Sequence, residues 1–297
     1  MSQARAFTRA HDSPQSRITL LRASVVIIMV LIVASWVFIL QNDRTQAASF
    51  FSVDTVRRAW TFVKELLGIG TGATPAFAKG SEWRDAGSLA CQTLAMSVMG
   101  IAISAAVALL TFMFGAHNLM LGELAPYGSR LWRLGFFVTR AFFILTRGVP
   151  ELLWAMIVVF LFSPGILPGA IALGIHNSGI LGKLSSEVVE GLDPRPIRSL
   201  RSAGAGRFQV LFYGVLPQAL PRFITYAFYR WEVIIRTTVV VGFVAAGGLG
   251  TEFRLAMSHF QYTTVTLLLI WYLILVVAVD LAAAYFRRAA GESRSGP

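Results

Sequence analysis

Cysteine is almost absent. Cys91 is alone among 297 residues, so no internal disulfide can form, and a single thiol inside an apolar run reads as a small packing residue rather than a nucleophile. Histidine is sparse, at four, and nowhere do His, Cys, Asp and Glu cluster at metal-ligand spacing. Charged residues make up 14% of the chain, against about a quarter in soluble domains. The lysines are Lys64, Lys79 and Lys183 only. No phosphate loop is present: the nearest approach, Gly182-Lys183-Leu184, lacks the earlier glycine and the following Ser or Thr. No nucleophile and base stand at useful spacing either, which counts against a membrane-embedded enzyme, and no soluble signalling domain supports a sensor. What fills the chain instead is apolar: 56% hydrophobic residues and a mean hydropathy of +0.65 point to a polytopic membrane protein. The formal charge of +11 would suggest nucleic acid in a soluble domain, but in a membrane chain it marks the loops on one side.

The apolar runs set out an all-α architecture of about six transmembrane helices. Residues 1–19 form a polar tail with Arg5, Arg9 and Arg17, and 20–40 a first anchor of spanning length. Ala47-Ala48-Ser49 leaves open a cleavable signal peptide, although the run is too long for an ordinary h-region. Further spans are expected at Leu89–Phe114, Leu134–Phe162, Ile166–Leu184, Leu216–Val244 and Thr263–Phe286. Within the first of these, Gly100, Ser104 and Ala108 form a small-residue stripe for close helix packing. Pro150 interrupts the next and predicts a kink or an interfacial helix. With six spans, seventeen of the 26 basic residues fall on the side of both termini and seven on the other, which places both termini in the cytoplasm. The outer segment 41–88 carries Val53, Val56, Trp60, Val63 and Leu67 at helical spacing, so Ser52–Leu67 reads as an amphipathic helix on the lipid interface, followed by a linker over Gly68–Gly80. Residues 289–297 form a C-terminal tail.

The segment 185–215 between two spans is the most informative. It contains Glu187 and Glu190, then Arg198-Ser199-Leu200 and Ala203-Gly204-Ala205, and nine residues separate Gly204 from Gly214-Val215-Leu216-Pro217, with Gly204, Leu216 and Pro217 in a fixed register. This resembles the Glu-Ala-Ala loop of ABC importer permeases; Arg198, Ser199 and Leu200 occupy the Glu-Ala-Ala positions and Gly214 the Ile position. The flanks Arg147-Gly-Val-Pro150-Glu151, Leu181-Gly182-Lys183-Leu184, Tyr229-Arg230-Trp-Glu232-Val-Ile-Ile-Arg236 and Ala246-Gly247-Gly248-Leu249-Gly250 resemble phosphonate-type ABC permeases over roughly 89–288. The family usually has Asn where Ile234 stands and Gly where Ala245 stands. The resemblance implies a type I ABC importer permease fold with an ABC transmembrane domain over 89–288 and a cytoplasmic coupling loop at 185–215. It also implies a transport subunit, not an enzyme, in the bacterial inner membrane. ATP and Mg would be bound by a cytoplasmic ABC ATPase dimer, and this chain would hold no cofactor. A periplasmic phosphonate-binding protein would deliver cargo, and a second permease copy or a sister permease would complete the pathway. Membrane lipids are a further partner; nucleic acid is not. Phosphate, methionine or another amino acid remain alternative cargoes.

Physically, a loop with a glycine-permitted close approach at Gly204 and a proline-fixed re-entry at Pro217 can pass a push from an ATPase to the spans; an ordinary basic loop that only orients the chain is the alternative. Charges inside spans are costly and must face protein or water. Glu232 and Arg236, four apart, are expected to pair on one helical face, as are Arg147 and Glu151 about Pro150. Arg230 points elsewhere and is a candidate for an anion path or a second partner. With Arg147, His176, Asn177, Lys183, Glu232 and Arg236 it makes up the candidate pathway set, since arginine forks bind phosphorus oxyanions bidentately. Gly247, Gly248 and Gly250, with Pro150, are candidate hinge or gate positions.

Overall fold

A computed structural model describes residues 14–42, 52–70, 72, 74–120 and 130–292, and the described residues contain helices and turns but no strand. The cleavage signal expected at Ala47-Ala48-Ser49, most of the N-terminal tail and residues 293–297 lie outside that set. The chain divides into two units, 1–64 and 65–297.

The N-terminal unit holds α1 (Pro14–Asn42) and most of α2 (Val53–Leu66). From Arg22 to Asn42 α1 is long and apolar enough to cross a membrane, and its side chains from Val25 to Leu40 are exposed. Twenty-one residues span about 31 Å, the thickness of a bilayer core. An apolar surface of that extent has no solvent other than lipid or another helix. On α2, Val53, Val56, Trp60 and Val63 are exposed, and Lys64 Nζ lies 5.7 Å from the centre of the Trp60 ring. An aromatic and aliphatic stripe edged by a cation is the composition of an interfacial helix.

The larger unit is built around α6 (Ile166–Glu190), against which α3 (Gly80–Gly115), α4 (Arg130–Gly148), α5 (Glu151–Phe162) and α8 (Leu216–Val241) all pack. Helix α10 (Tyr262–Glu292) packs against α8 and α3, and α9 (Gly248–Ser258) against α3, α8 and α10. The expected stripe is what lets α3 and α6 approach. Gly100 lies against Leu173, Ser104 Oγ donates to Gly174 O at 3.2 Å, and Ala108 is buried. Cys91, on the other face of α3, is exposed; the core-facing positions are taken by Ala86, Ala90, Thr93, Met96 and Ser97, so the expected packing role is not the one observed. Helix α3 also begins at Gly80 rather than Leu89, because no residue over 80–88 breaks a helix and Trp83 anchors the start by donating its indole N–H to Phe77 O at 2.7 Å.

By length and composition, α1, α3 and α10 are single spans. Two further regions qualify only as bent pairs: α4 with α5, turned by 94°, and α8 with α9, turned by 49°. The first bend sits at Val149-Pro150. Proline offers no N–H to continue α4, and the amides of Leu153 and Trp154 restart the ladder on Pro150 O. The Trp154 indole then donates to Thr146 O at 3.0 Å, answering a carbonyl at the end of α4. The remaining expected span, α6, has 25 residues, about 37 Å of helix, but it carries His176, Asn177 and Lys183 and is wrapped by its neighbours. Its polarity is tolerable because its surroundings are protein.

Phe143 shows how tight that wrapping is. Its ring, 1% exposed, is lodged between α3 and α6, where a methyl added at Gly182 would come 2.4 Å from it and one at Gly115 2.7 Å. We predict that Gly182→Ala destabilises the detergent-solubilised protein by about 1–3 kcal/mol through overpacking, read as a lower thermal midpoint. Gly148→Ala, which meets nothing within 4 Å, leaves that midpoint unchanged or raised.

Candidate functional site

The segment expected as a coupling loop is an ordered helical wedge. Helix α6 runs on through Glu187 to Glu190, and after Gly191 the Asp193 carboxylate caps a short α7 (Pro194–Ser202) by accepting from Arg195 N at 3.0 Å. Pro194 occupies the first helical position, where a missing N–H costs nothing. On α7 the apolar Ile197 and Leu200 face inward, Ile197 fully buried, whereas Arg198, Ser199, Arg201 and Ser202 are exposed. The helix ends in a Schellman turn: Ala205 N donates to Leu200 O and Gly204 N to Arg201 O, both at 3.0 Å, with Gly204 at φ +83°.

That geometry corrects one expectation. Nothing lies within 4 Å of a Cβ at Gly204, so its glycine serves the left-handed turn and not a close approach. The close approach belongs to Gly214, in a π-helical turn over Val210–Val215, where an added Cβ would sit 3.0 Å from Leu200 Cδ1 and 3.6 Å from Ile197 Cγ1. Ala203 and Ala205 flank the turn, and Leu216-Pro217 open α8 directly from the π turn. Ile197 shares one apolar cluster with Val188 and Val189 of α6, Phe112 of α3, Val215, and Ala219 and Phe223 of α8. Displacing α7 therefore loads two long helices at once.

Glu187 and Glu190 divide in role. Glu187 pairs with Lys183, one turn back, at 3.1 Å. Glu190 accepts from His117 N at 2.7 Å and from Arg140, whose Nε donates to Gly115 O at 2.9 Å, and Asn118 Nδ2 donates to Val189 O at 2.9 Å. The end of α6 is thus clamped to the end of α3 and to α4. Arg140, His117 and Asn118 were not among the expected residues; the available signal was an arginine inside the apolar stretch of α4.

The charges within spans are answered differently from the expected i,i+4 pairs. Glu232 is bonded to Arg287, and Arg236 to Asp280 with a shortest contact of 2.9 Å. Both partners are on α10, which runs antiparallel beside α8, so each charge is matched across the helix interface. Asp280, a lone acid in the last span, was the legible clue. Arg147 and Glu151 also do not pair, because the 94° turn at Pro150 destroys helical spacing. Arg147 is exposed, and Glu151 lies 3.9 Å from His176 Nε2. His176 Nδ1 is 3.0 Å from Val149 O. A carbonyl only accepts, so Nδ1 carries the hydrogen. Arg230 donates from Nε (3.1 Å) and Nη2 to Asn177 Oδ1, and Asn177, fully buried, donates to Leu173 O at 2.8 Å. His176, Asn177, Glu151 and Arg230 are therefore brought together where α5, α6 and α8 meet, whereas Lys183, Arg147, Glu232 and Arg236 lie elsewhere.

The glycine-rich turn between α8 and α9 is pinned rather than free. Gly247 and Gly248 have φ of +88° and +67°, and Leu249 N donates to Thr93 Oγ1 on α3 at 2.9 Å. Thr251 Oγ1 donates to Gly242 O at 2.7 Å, and a Cβ at Gly250 would fall 2.0 Å from Val239 O. Thr93 was not anticipated; it is one of several hydroxyls in that span, with Ser97, Ser104 and Thr111, and nothing in the sequence marks it out.

Comparison with known proteins places this geometry. Residues 127–291 match the family of binding-protein-dependent transport system inner membrane components. The phosphite transport system permease protein PtxC of Stutzerimonas stutzeri is 38% identical over 196 residues, 66% of this chain and 68% of that protein. The phosphate-import permease protein PhnE of Mycolicibacterium smegmatis is 32% identical over 212 residues, 71% of this chain and 38% of that protein. Among solved structures, an inward-facing MetNI methionine ABC transporter superposes with a TM-score of 0.55 at 19% identity, covering 70% of this chain and 94% of that one; at that identity the likeness is one of fold.

Removing the Thr93 hydroxyl strands the buried Leu249 amide. Thr93→Val is expected to destabilise the solubilised protein by about 1–3 kcal/mol, whereas Thr93→Ser retains most of the stability; thermal melting in detergent compares the two.

Proposed function

The chain belongs to the family of binding-protein-dependent transport system inner membrane components, and on that premise we propose that it is the transmembrane permease subunit of an ATP-driven ABC importer. Its cargo is a phosphonate or a related phosphorus oxyanion such as phosphite, moved across the bacterial inner membrane by alternating access. The similarity to a phosphite permease over most of both chains supports that cargo class; phosphate, the cargo named for a second relative, is the alternative. The single observation that carries the transport mechanism is the seating of α7. Its apolar pegs Ile197 and Leu200 enter the cluster shared by α6 and α8, and its polar face, with Arg198, Ser199 and Arg201, is exposed.

On this reading a cytoplasmic ABC ATPase dimer engages the exposed face of α7, and closure of the dimer on ATP and Mg moves α7, α6 and α8 together. Rigid-body motion of packed helices is how alternating access proceeds in transporters. Both termini face the cytoplasm, a binding protein delivers cargo at the opposite face, and a second permease copy or a sister permease completes the pathway. Arg198, at the position where the resemblance expects Glu, offers the ATPase a cation, so the facing surface of that ATPase carries an acid. The pinned turn at Gly247, Gly248 and Gly250, with the bend at Pro150, forms the gate at the outer half of the pathway.

Membrane vesicles containing the whole complex test the cargo. Energised uptake of methylphosphonate or phosphite is expected, with phosphate weaker, and uptake of none of the three contradicts the assignment. Gly204→Val tests the wedge. A β-branched residue at φ +83° costs at least about 1–2 kcal/mol, so the complex assembles but its cargo-stimulated ATP hydrolysis falls several-fold; undiminished stimulation counts against α7 as the coupling element.

A further inference from the structure

Beyond Arg222 near its start, three ionic side chains project from the apolar helix α8, and they are not treated alike. Glu232 meets Arg287 and Arg236 meets Asp280, so each of those charges is cancelled by an opposite one. Arg230 is answered only by a neutral amide: Nε and Nη2 share Asn177 Oδ1, and among the described residues no carboxylate oxygen comes within 4 Å of the guanidinium. Among the described residues its Nη1 has no hydrogen-bond acceptor. An amide fixes the direction of the fork without neutralising it, and a charge in a span with no counter-ion in contact faces protein, water or a ligand that supplies one.

The surroundings fit that last case. Asn177 is fully buried and its own N–H is spent on Leu173 O, while its oxygen accepts from Arg230. The neighbouring His176 has Nδ1–H committed to Val149 O, a carbonyl exposed by the break at Pro150, which turns its Nε2 toward the same junction of α5, α6 and α8. Glu151, 3.9 Å from that Nε2, is a carboxylate whose field partly offsets the Arg230 charge, but it makes no ion pair with the guanidinium within 4 Å.

We propose that Arg230 is the anion contact of the translocation pathway. Its Nη edge takes two oxygens of a tetrahedral phosphorus oxyanion in passage, and Asn177 is the positioning residue that aims the fork without neutralising it. The inference rests on the importer reading above and goes beyond it by assigning the contact to one side chain. Arginine suits transit because planar N–H pairs match two oxygens at once, and a contact made by one fork, with no cage around it, allows release as well as capture.

The discriminating variant is Asn177→Asp. A carboxylate at this position gives up the hydrogen bond to Leu173 O but keeps a purely structural staple to Arg230 between α6 and α8, now as an ion pair, whereas an anion contact is quenched by it. In proteoliposomes of the complete complex, Asn177→Asp and Arg230→Gln are each expected to raise the KM for phosphite or methylphosphonate at least tenfold while the purified complex keeps its subunit composition and thermal midpoint. Arg230→Lys, which keeps charge but loses the fork, is expected to fall between. Wild-type KM in both Asn177→Asp and Arg230→Gln overturns the inference and leaves the importer reading standing. Failure of both variants to assemble assigns the pair to folding and also overturns it. Absence of oxyanion uptake by the unaltered complex overturns both readings.

Discussion

Hydrocarbon solvates neither a charge nor an unpaired backbone group, and the larger unit is organised by how each such group is answered. Two ionic pairs, Glu232–Arg287 and Arg236–Asp280, set the register of α8 against α10. A third, Glu190–Arg140, joins the end of α6 to α4, and the same arginine takes up the last carbonyl of α3 at Gly115. Where Pro150 breaks a helix, the freed carbonyls of Thr146 and Val149 are met by Trp154 and His176. Each answer lies on a different helix from the question, so the polar groups pin the bundle while apolar packing fills it.

The same constraint explains why α6 is central. A helix bearing His176, Asn177 and Lys183 is too polar to meet lipid on all sides, and the stripe of Gly100, Ser104 and Ala108 on α3 with Gly174, Gly179 and Gly182 on α6 lets neighbours close over it. Its C-terminal end is then the natural place for a mechanical input. The clamp at Glu190 and the Ile197–Leu200 wedge at Gly214 tie the short α7 to three long helices. On the proposed function this is where chemical work done outside the membrane becomes a tilt within it.

Much of this was legible in the sequence. Apolar runs located the long helices, the small-residue stripe marked the α3–α6 contact, and the alternation of apolar and cationic residues over 53–67 marked α2. What misled was reasoning within one helix about charges whose partners lie on another. Glu232 and Arg236 have ideal i,i+4 spacing, yet each finds a partner across an interface, because long-range partners carry no spacing signal. Glycines misled similarly: Gly204 and Gly214 look equivalent in sequence, but one serves a left-handed turn and the other a close approach. The clues that did exist were lone charges in apolar runs, namely Arg140 and Asp280.

On the proposed function α7 is the surface through which an ATPase drives the spans, and cross-linking reads that contact directly. With Cys91 replaced by serine, a cysteine placed at the exposed Ser199 is expected to cross-link to the ATPase subunit in the assembled complex, with a yield that changes between nucleotide-free and ATP-bound states. A cysteine at Ser258, at the end of α9, is expected to give no such product. Equal cross-linking from both positions, or none from 199 in a complex that hydrolyses ATP, would contradict the account.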